Sequence, residues 1–303
     1  MRVGFIGIGN MGWSMARNVL RGGFQLTIYD ADPGRSAKFG AEHRCSVASR
    51  LADLSGMDFI VTMLPTGRDV ANVYLGEGGP AHRSPEGEGG LAKHLGAPTI
   101  AIDMSSSDPT GTRELGQALV SRGVRLLDAP VSGGVPRAEA GTLAIMIGGD
   151  DAQAIERAKP LLASMGNKLF EIGTLGSGHA MKALNNYVAS AGFVAAVEAL
   201  SIGRRFGIDP ARMLEVINQS TGRNFNTEST MKENVIDAKY ATGFALGLMT
   251  KDVGIAAALA RAMKVDAPVA QLVSERWVQA RDSLGAARDF TEAVLAWDPP
   301  TAK

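Results

Sequence analysis

Residues 4–12 read GFIGIGNMG. An apolar run that begins at Val3 leads into Gly7, Gly9 and Gly12, spaced as G-x-G-x-x-G, and a helical pattern follows over residues 11–22. Few backbones satisfy this order. A strand must turn tightly at Gly7, the chain at Gly9 must come close to something, and Gly12 must let the new helix pack on the strand it has just left. The start of that helix gathers unpaired N–H groups, which suit a pyrophosphate. Glycines kept for packing alone are the competing reading.

The same grammar continues through the first half. Short apolar runs at 3–7, 25–30, 58–64, 99–103, 124–129, 143–148 and 168–173 read as strands of a sheet covered on both faces. Helical patterns at 11–22, 47–55, 67–75, 110–121 and 151–164 lie between them. Such alternation predicts βαβ units with right-handed crossovers. After residue 175 no strand pattern follows. Residues 178–206 predict one unbroken helix of about 44 Å at 1.5 Å per residue. It stops at Gly207, and Asp209 with Pro210 caps and opens the next. Further helices are expected at 210–220, 227–237, 250–264 and 268–283. The predicted fold class is therefore α/β. A Rossmann-type dinucleotide-binding domain, 1–175, precedes an all-α substrate and oligomerisation domain, 176–303, with a long inter-domain helix. That helix is expected to bridge the domains or to pack on another subunit, in a homodimer or homotetramer. The segment GEGGPAHRSPEGEGG (76–90) holds six glycines and two prolines and reads as a surface loop, with a substrate lid as the alternative.

Composition removes several function classes. The formal net charge is zero, which argues against a nucleic-acid or acidic-membrane partner. One cysteine, Cys45, allows no intrachain disulfide, and the four histidines show no metal-ligand spacing, so no metal is expected. The N-terminus lacks the pattern of a signal peptide. The apolar stretch 188–203, interrupted by Glu198, reads as too short and too mixed for a membrane span. A cytoplasmic protein is the expectation.

Strand ends carry the candidate cofactor contacts, because ligands of open parallel sheets lie outside the carboxyl ends of strands. Asp30 ends the second strand, where a carboxylate accepts from the adenosine ribose and repels a 2′-phosphate, so NAD is favoured over NADP. Arg35 is near enough to blur that preference. Leu64, Pro65 and Ser106 follow two further strands as cofactor neighbours, with helix capping as an alternative for the serines. In DAPVSGG (128–134), Ser132, Gly133 and Gly134 offer a hydroxyl and two N–H groups, a nest suited to a carboxylate. A plain turn is the alternative. In GSGHAMKALNN (176–186), Lys182 and Asn186 are four apart and share a helix face, with His179 one turn earlier. A lysine whose stem packs and whose head reaches water is the bland reading. A partly desolvated lysine, in contrast, exchanges protons nearer neutral pH.

Four blocks in order, GFIGIGNMG (4–12), DAPVSGG (128–134), GSGHAMKALNN (176–186) and KDVGIA (251–256), make the chain resemble the β-hydroxyacid dehydrogenases over residues 2–290. The resemblance implies a hydride transfer between NAD and a small β-hydroxy acid in a cleft between the domains. It places Gly7, Ile8, Gly9, Asn10, Met11 and Gly12 on the dinucleotide. It places Ser132, Gly133 and Gly134 on the substrate carboxylate. Lys182 is implied as the catalytic lysine and Asn186 as the amide that holds the substrate beside it. Lys251, with Asp252, is implied to close over cofactor and substrate. The substrate is then 3-hydroxyisobutyrate-like, or a small semialdehyde such as tartronate or succinate semialdehyde in the reductive direction. Gly133 stands where sulfolactaldehyde reductases tend to carry arginine. Arg223 and Asn224 are either pocket residues or a helix-start loop. A non-catalytic cofactor-binding scaffold or sensor is the alternative from another class, and Lys182 with Asn186 intact argues against it.

Overall fold

The computed structural model describes residues 1–76 and 90–299. Most of the expected 76–90 loop therefore lies outside the described residues. Two compact units divide the chain, Met1–Lys182 and Ala183–Lys303.

The first unit holds β1 (Arg2–Ile6), α1 (Asn10–Arg21), β2 (Gln25–Tyr29), α2 (Pro33–His43), β3 (Ser46–Val47), β4 (Phe59–Thr62), α3 (Gly67–Leu75), β5 (Ile100–Asp103), α4 (Pro109–Val120), β6 (Arg125–Asp128), β7 (Val131–Ser132), α5 (Gly134–Ala140), β8 (Ala144–Gly148), α6 (Ala152–Met165), β9 (Lys168–Gly173) and the start of α7 (Ser177–Phe206). One sheet runs in the order β3-β2-β1-β4-β5-β6-β8-β7, with β9 on β8. Alternate strand residues feed opposite faces. Phe5, Phe59, Val61 and Ile102 join Met15, Val19 and Leu161 on one side. Ile6, Ile60 and Ala101 join Val70, Val73 and Leu119 on the other. Burial on both faces explains why these strands read as continuous apolar runs rather than alternating ones.

One expectation for this half needs correction, and two features go beyond what was expected. Residues 47–55 are not one helix: a two-residue strand, β3, pairs with β2, and a single 3-10 turn covers Leu51–Leu54. Helix α2 was not expected, although Asp32 caps it by accepting from Gly34 N at 2.9 Å and Pro33 opens it. The sheet is also not wholly parallel, since β8 runs antiparallel to both β6 and β7. The link from Ser132 to Ala144, with only α5 inside it, is short for a crossover. Parallel pairing resumes at β8–β9, joined through α6.

The second unit is helical: the remainder of α7, α8 (Pro210–Asn218), α9 (Phe225–Ser229), α10 (Leu246–Ala262), α11 (Pro268–Leu284) and α12 (Ala293–Trp297). Trp277 is fully buried beside Phe193 (ring centroids 5.6 Å apart) and Phe290 (6.0 Å), the aromatic centre of this core. Asp209 caps α8 through Ala211 N at 2.8 Å, as its sequence predicts. The expected helix 227–237 is two pieces, α9 and a π-helical turn over Met231–Ile236. Helix α7 also corrects the membrane reading. At full length it is long and apolar enough to cross a membrane by length and composition. Residues on either side of 188–203 supply the missing length. Within the protein, 44% of that apolar stretch is buried.

Candidate active site

The three glycines have three separate reasons. Gly7 has φ +90, and a Cβ there would sit 2.4 Å from the Met63 carbonyl oxygen, so no other residue fits the turn. A Cβ on Gly12 would lie 2.0 Å from the Gly7 oxygen, which makes it the helix–strand contact. A Cβ on Gly9 would meet nothing within 4 Å. Gly9 is also the N-cap of α1 without any side-chain cap. Protein packing therefore explains Gly7 and Gly12 but not Gly9, where open space faces uncapped helix N–H groups. Asn10 is exposed and Met11 half-buried. Ile8 turns its side chain into the core, so its backbone is the part left for a ligand.

Asp30 is already engaged. Its Oδ2 accepts from Ile8 N at 2.8 Å and its Oδ1 from Asp32 N at 2.9 Å. Arg35 Nη1 lies 3.1 Å from Oδ1 and 3.3 Å from Oδ2. The carboxylate thus pins the glycine-rich turn to the end of β2, and Arg35 covers its outer edge.

The next two strand ends are tied by one buried carboxylate. Asp103, at the end of β5, accepts from Thr62 Oγ1 (3.0 Å), Ser105 N (3.0 Å) and Ser107 Oγ (2.8 Å). Ser105 Oγ in turn accepts from Leu64 N at 2.9 Å. Ser105 and Ser107 are buried in this network, and Ser106 alone of the three reaches the surface. Pro65 is exposed next to Leu64. Burial, together with the Asp103 charge, pushes the nearby Tyr74 phenol well above its usual range, so it stays protonated.

Asp128, at the end of β6, faces Asp103 across the parallel pair. It accepts from Gly176 N and His179 N, each at 2.7 Å, and so caps the start of α7 from the sheet. Lys182 follows His179 by one turn and is half-buried. Ser132, the last residue of β7, is half-buried, and Gly133 (φ +137) and Gly134 (φ +64) after it both take the left-handed side of φ. A Cβ on Gly133 would meet the Arg137 side chain at 2.5 Å. Gly133 caps α5 without a side-chain bond.

In the second unit, Asn186 Nδ2 donates to Asp252 Oδ2 at 2.6 Å, and Asn185 Nδ2 donates to Asn186 Oδ1 at 3.2 Å. Lys251 Nζ lies 3.4 Å from Asp252 Oδ1. Asn224 is the N-cap of α9, accepting from Asn226 N at 2.9 Å, while Arg223 is well exposed and pairs with Glu228 at 3.8 Å. Asn224 is accounted for by the helix start.

Two family models cover the chain. The NAD binding domain of 6-phosphogluconate dehydrogenase matches residues 2–173, and the NAD-binding domain of NADP-dependent 3-hydroxyisobutyrate dehydrogenase matches 176–297. The chain is 35% identical over 276 residues to 3-hydroxyisobutyrate dehydrogenase of Pseudomonas aeruginosa, covering 89% of each. The chain belongs to the β-hydroxyacid dehydrogenase family.

Other members point to differing substrates. The NAD-dependent L-serine dehydrogenase of Pseudomonas aeruginosa is 31% identical, over 98% of both chains. A Mycobacterium tuberculosis 3-hydroxyisobutyrate dehydrogenase structure with L-serine superimposes with a TM-score of 0.86 at 29% identity, covering 98% of this chain and 99% of that one. This β-hydroxyacid dehydrogenase is accordingly an NAD-dependent oxidoreductase of the Rossmann-plus-helical architecture expected from its sequence. Sequence reasoning missed the Asp103, Asp128 and His179 cluster and the bond from Asn186 to Asp252. Both join residues far apart in the chain, and the only signal was a polar residue ending each of two apolar strands.

Proposed function

We propose that the protein interconverts a small, 3-hydroxyisobutyrate-like β-hydroxy acid and its semialdehyde, with Lys182 as the general acid and base. NAD binding is assigned to a domain of residues 1–175 and substrate binding and oligomerisation to one of residues 176–303, with Ser132, Gly133 and Gly134 of the first also on the substrate. The cofactor's fit is supported by Gly9, whose missing side chain faces open space at an uncapped helix start. Gly7, Ile8, Asn10, Met11 and Gly12 would complete the pyrophosphate cradle, Asp30 the ribose end, and Leu64, Pro65, Ser106 and Lys251 the remaining edge. When bound, NAD supplies the hydride acceptor. Ser132, Gly133 and Gly134 would hold the substrate carboxylate.

The observation that carries the reading is the spacing on α7. Lys182 and Asn186 are four residues apart on one helix, and Asn186 is oriented by a buried carboxylate. A carboxylate only accepts, so Asp252 fixes which end of the Asn186 amide turns toward it. In oxidation the Lys182 amine removes the hydroxyl proton as the carbinol hydrogen leaves as hydride. In reduction the ammonium stabilises the charge growing on oxygen and then protonates it. Assay of 3-hydroxyisobutyrate, L-serine, D-glycerate, 3-hydroxypropionate and threonate with NAD tests the substrate class. The reading predicts turnover of at least one, with 3-hydroxyisobutyrate best. Turnover of none would contradict it.

A serine-like substrate is the second reading, favoured by the L-serine in a relative's structure. Reduction of tartronate or succinate semialdehyde is a third, on the same residues. We also infer a cytoplasmic homodimer or homotetramer without nucleic-acid or membrane partners. The apolar side chains exposed along α7, among them Val188, Ile202 and Phe206, support the oligomer, and the zero net charge supports the absence of a nucleic-acid partner.

A further inference from the structure

We propose that His179 is a positioning residue, locking the first turn of α7, and through it Lys182, to the loop that follows β5. The inference rests on the reading of Lys182 given above. His179 is fully buried, yet no step of the reaction uses it. Its ring sits between the paired strand ends. Nε2 is 3.6 Å from Asp103 Oδ2, and Nδ1 is 3.8 Å from Asp128 Oδ2. Thr112 Oγ1, on α4, is 2.8 Å from Nδ1 and directs its own hydrogen to the Asp108 carbonyl at 2.9 Å. A hydroxyl has one hydrogen, so Nδ1 is the donor in that contact.

The backbone of the same turn is equally constrained. A Cβ on Gly178 would lie 2.2 Å from the Met146 oxygen and 2.9 Å from Asp128 Oδ2. A Cβ on Gly148 would lie 2.4 Å from Asp128 Oδ1. Gly178 of GSGH and Gly148 of β8 are thus there for close approach, and the helix start rests directly on the sheet. From that contact the His179 ring is hydrogen-bonded through Thr112 to the Asp108 carbonyl, in the loop after β5. Asp128 holds the backbone of α7 and pairs in register with Asp103, from which His179 Nε2 stands 3.6 Å away without a hydrogen bond. Asp103 holds Ser105, and Ser105 holds the Leu64 N–H. One end of the link through Thr112 is a loop at the candidate cofactor edge, and the other is one turn before Lys182. Burial of polar groups for stability alone does not require this placement. Misplacing a reacting group by about 1 Å costs on the order of 100-fold in rate.

Two conservative variants test it, His179→Gln and Thr112→Val, the second keeping the side-chain shape. The measurements are kcat, KM for 3-hydroxyisobutyrate, NADH affinity by fluorescence, and hydrogen exchange of the peptide covering 174–186. A positioning role predicts kcat lower by about 10- to 100-fold. NADH affinity and KM should stay within about threefold, and exchange at 176–182 should speed up. Thr112→Ser, which restores the hydroxyl, should recover most of the loss. Exchange unchanged from the wild type would overturn the proposal. So would faster exchange with kcat within about twofold, or a parallel collapse of kcat, KM and NADH affinity. Should the wild type oxidise no β-hydroxy acid, the functional reading fails, while exchange in the two variants still decides whether His179 holds α7.

Discussion

Asn186 on α7 donates a 2.6 Å hydrogen bond to Asp252 on α10, and Asp252 is itself buried beside Lys251. This is a charge-assisted bond between elements distant in sequence, and it leaves Asn186 little freedom to rotate. Asp252→Ala should free that amide. A hydrogen bond to a charged group is worth about 1.5–3 kcal/mol. The variant should therefore lose about 10- to 150-fold in kcat/KM for the hydroxy acid, with NADH affinity held. Steady-state kinetics alongside NADH titration check this. An unchanged kcat/KM would separate Asn186 from the reaction.

The three glycines separate by experiment. Gly12→Ala must displace the Gly7 carbonyl, and overpacking of this kind costs about 1–3 kcal/mol or more. Its melting temperature should fall markedly without any ligand. Gly9→Ala meets open space, so its melting temperature should stay near that of the wild type while NADH no longer raises it as far. Thermal melts with and without NADH distinguish the two. A Gly9→Ala protein stabilised by NADH as fully as the wild type would remove Gly9 from the cofactor site.

Cofactor choice turns on Asp30 and Arg35. The carboxylate favours a free ribose, while the guanidinium at 3.1 Å is the nearest available partner for a 2′-phosphate. NAD should have the higher kcat/KM. Arg35→Ala should widen the gap by weakening NADP more than NAD. Equal efficiency of the two cofactors in the wild type would show that the arginine overrides the carboxylate.

Substrate anchoring is assigned to the end of β7 and the two glycines after it. Ser132→Ala should raise the Michaelis constant for the hydroxy acid by about 10- to 150-fold, the value of one hydrogen bond to a charged group. NAD affinity should hardly move. A Michaelis constant that stays put would shift the carboxylate elsewhere, with Arg223 the next residue to test.

How far the sequence could be read follows from which contacts are local. Strands β1, β4, β5 and β8 were legible because both of their faces are buried, which leaves an uninterrupted apolar run. Strands β3 and β7 have two residues each, too few for any pattern. Helix α2 buries only Ser36 and Phe39, so it shows no apolar seam, and its Asp-Pro start was the one available signal. The glycine-rich turn and the Lys182–Asn186 spacing were visible because each lies within one or two turns of chain. The Asp103–Asp128–His179 cluster was not. It depends on the register of β5 against β6 and on where α7 meets the sheet, which no local spacing encodes.

The central claim is that Lys182 moves the proton. The direct measurement is kcat of Lys182→Ala for oxidation of the hydroxy acid with NAD, on protein shown to be folded and to bind NADH. Loss of a general acid–base predicts a fall of about 100-fold or more. Lys182→Arg should fall as well, because a guanidinium does not give up its proton near neutral pH. In the wild type, kcat for oxidation should rise with pH as the amine becomes free to act as base, and that rise should vanish in both variants. A folded, NADH-binding Lys182→Ala protein that kept more than about a tenth of the wild-type kcat would contradict the account.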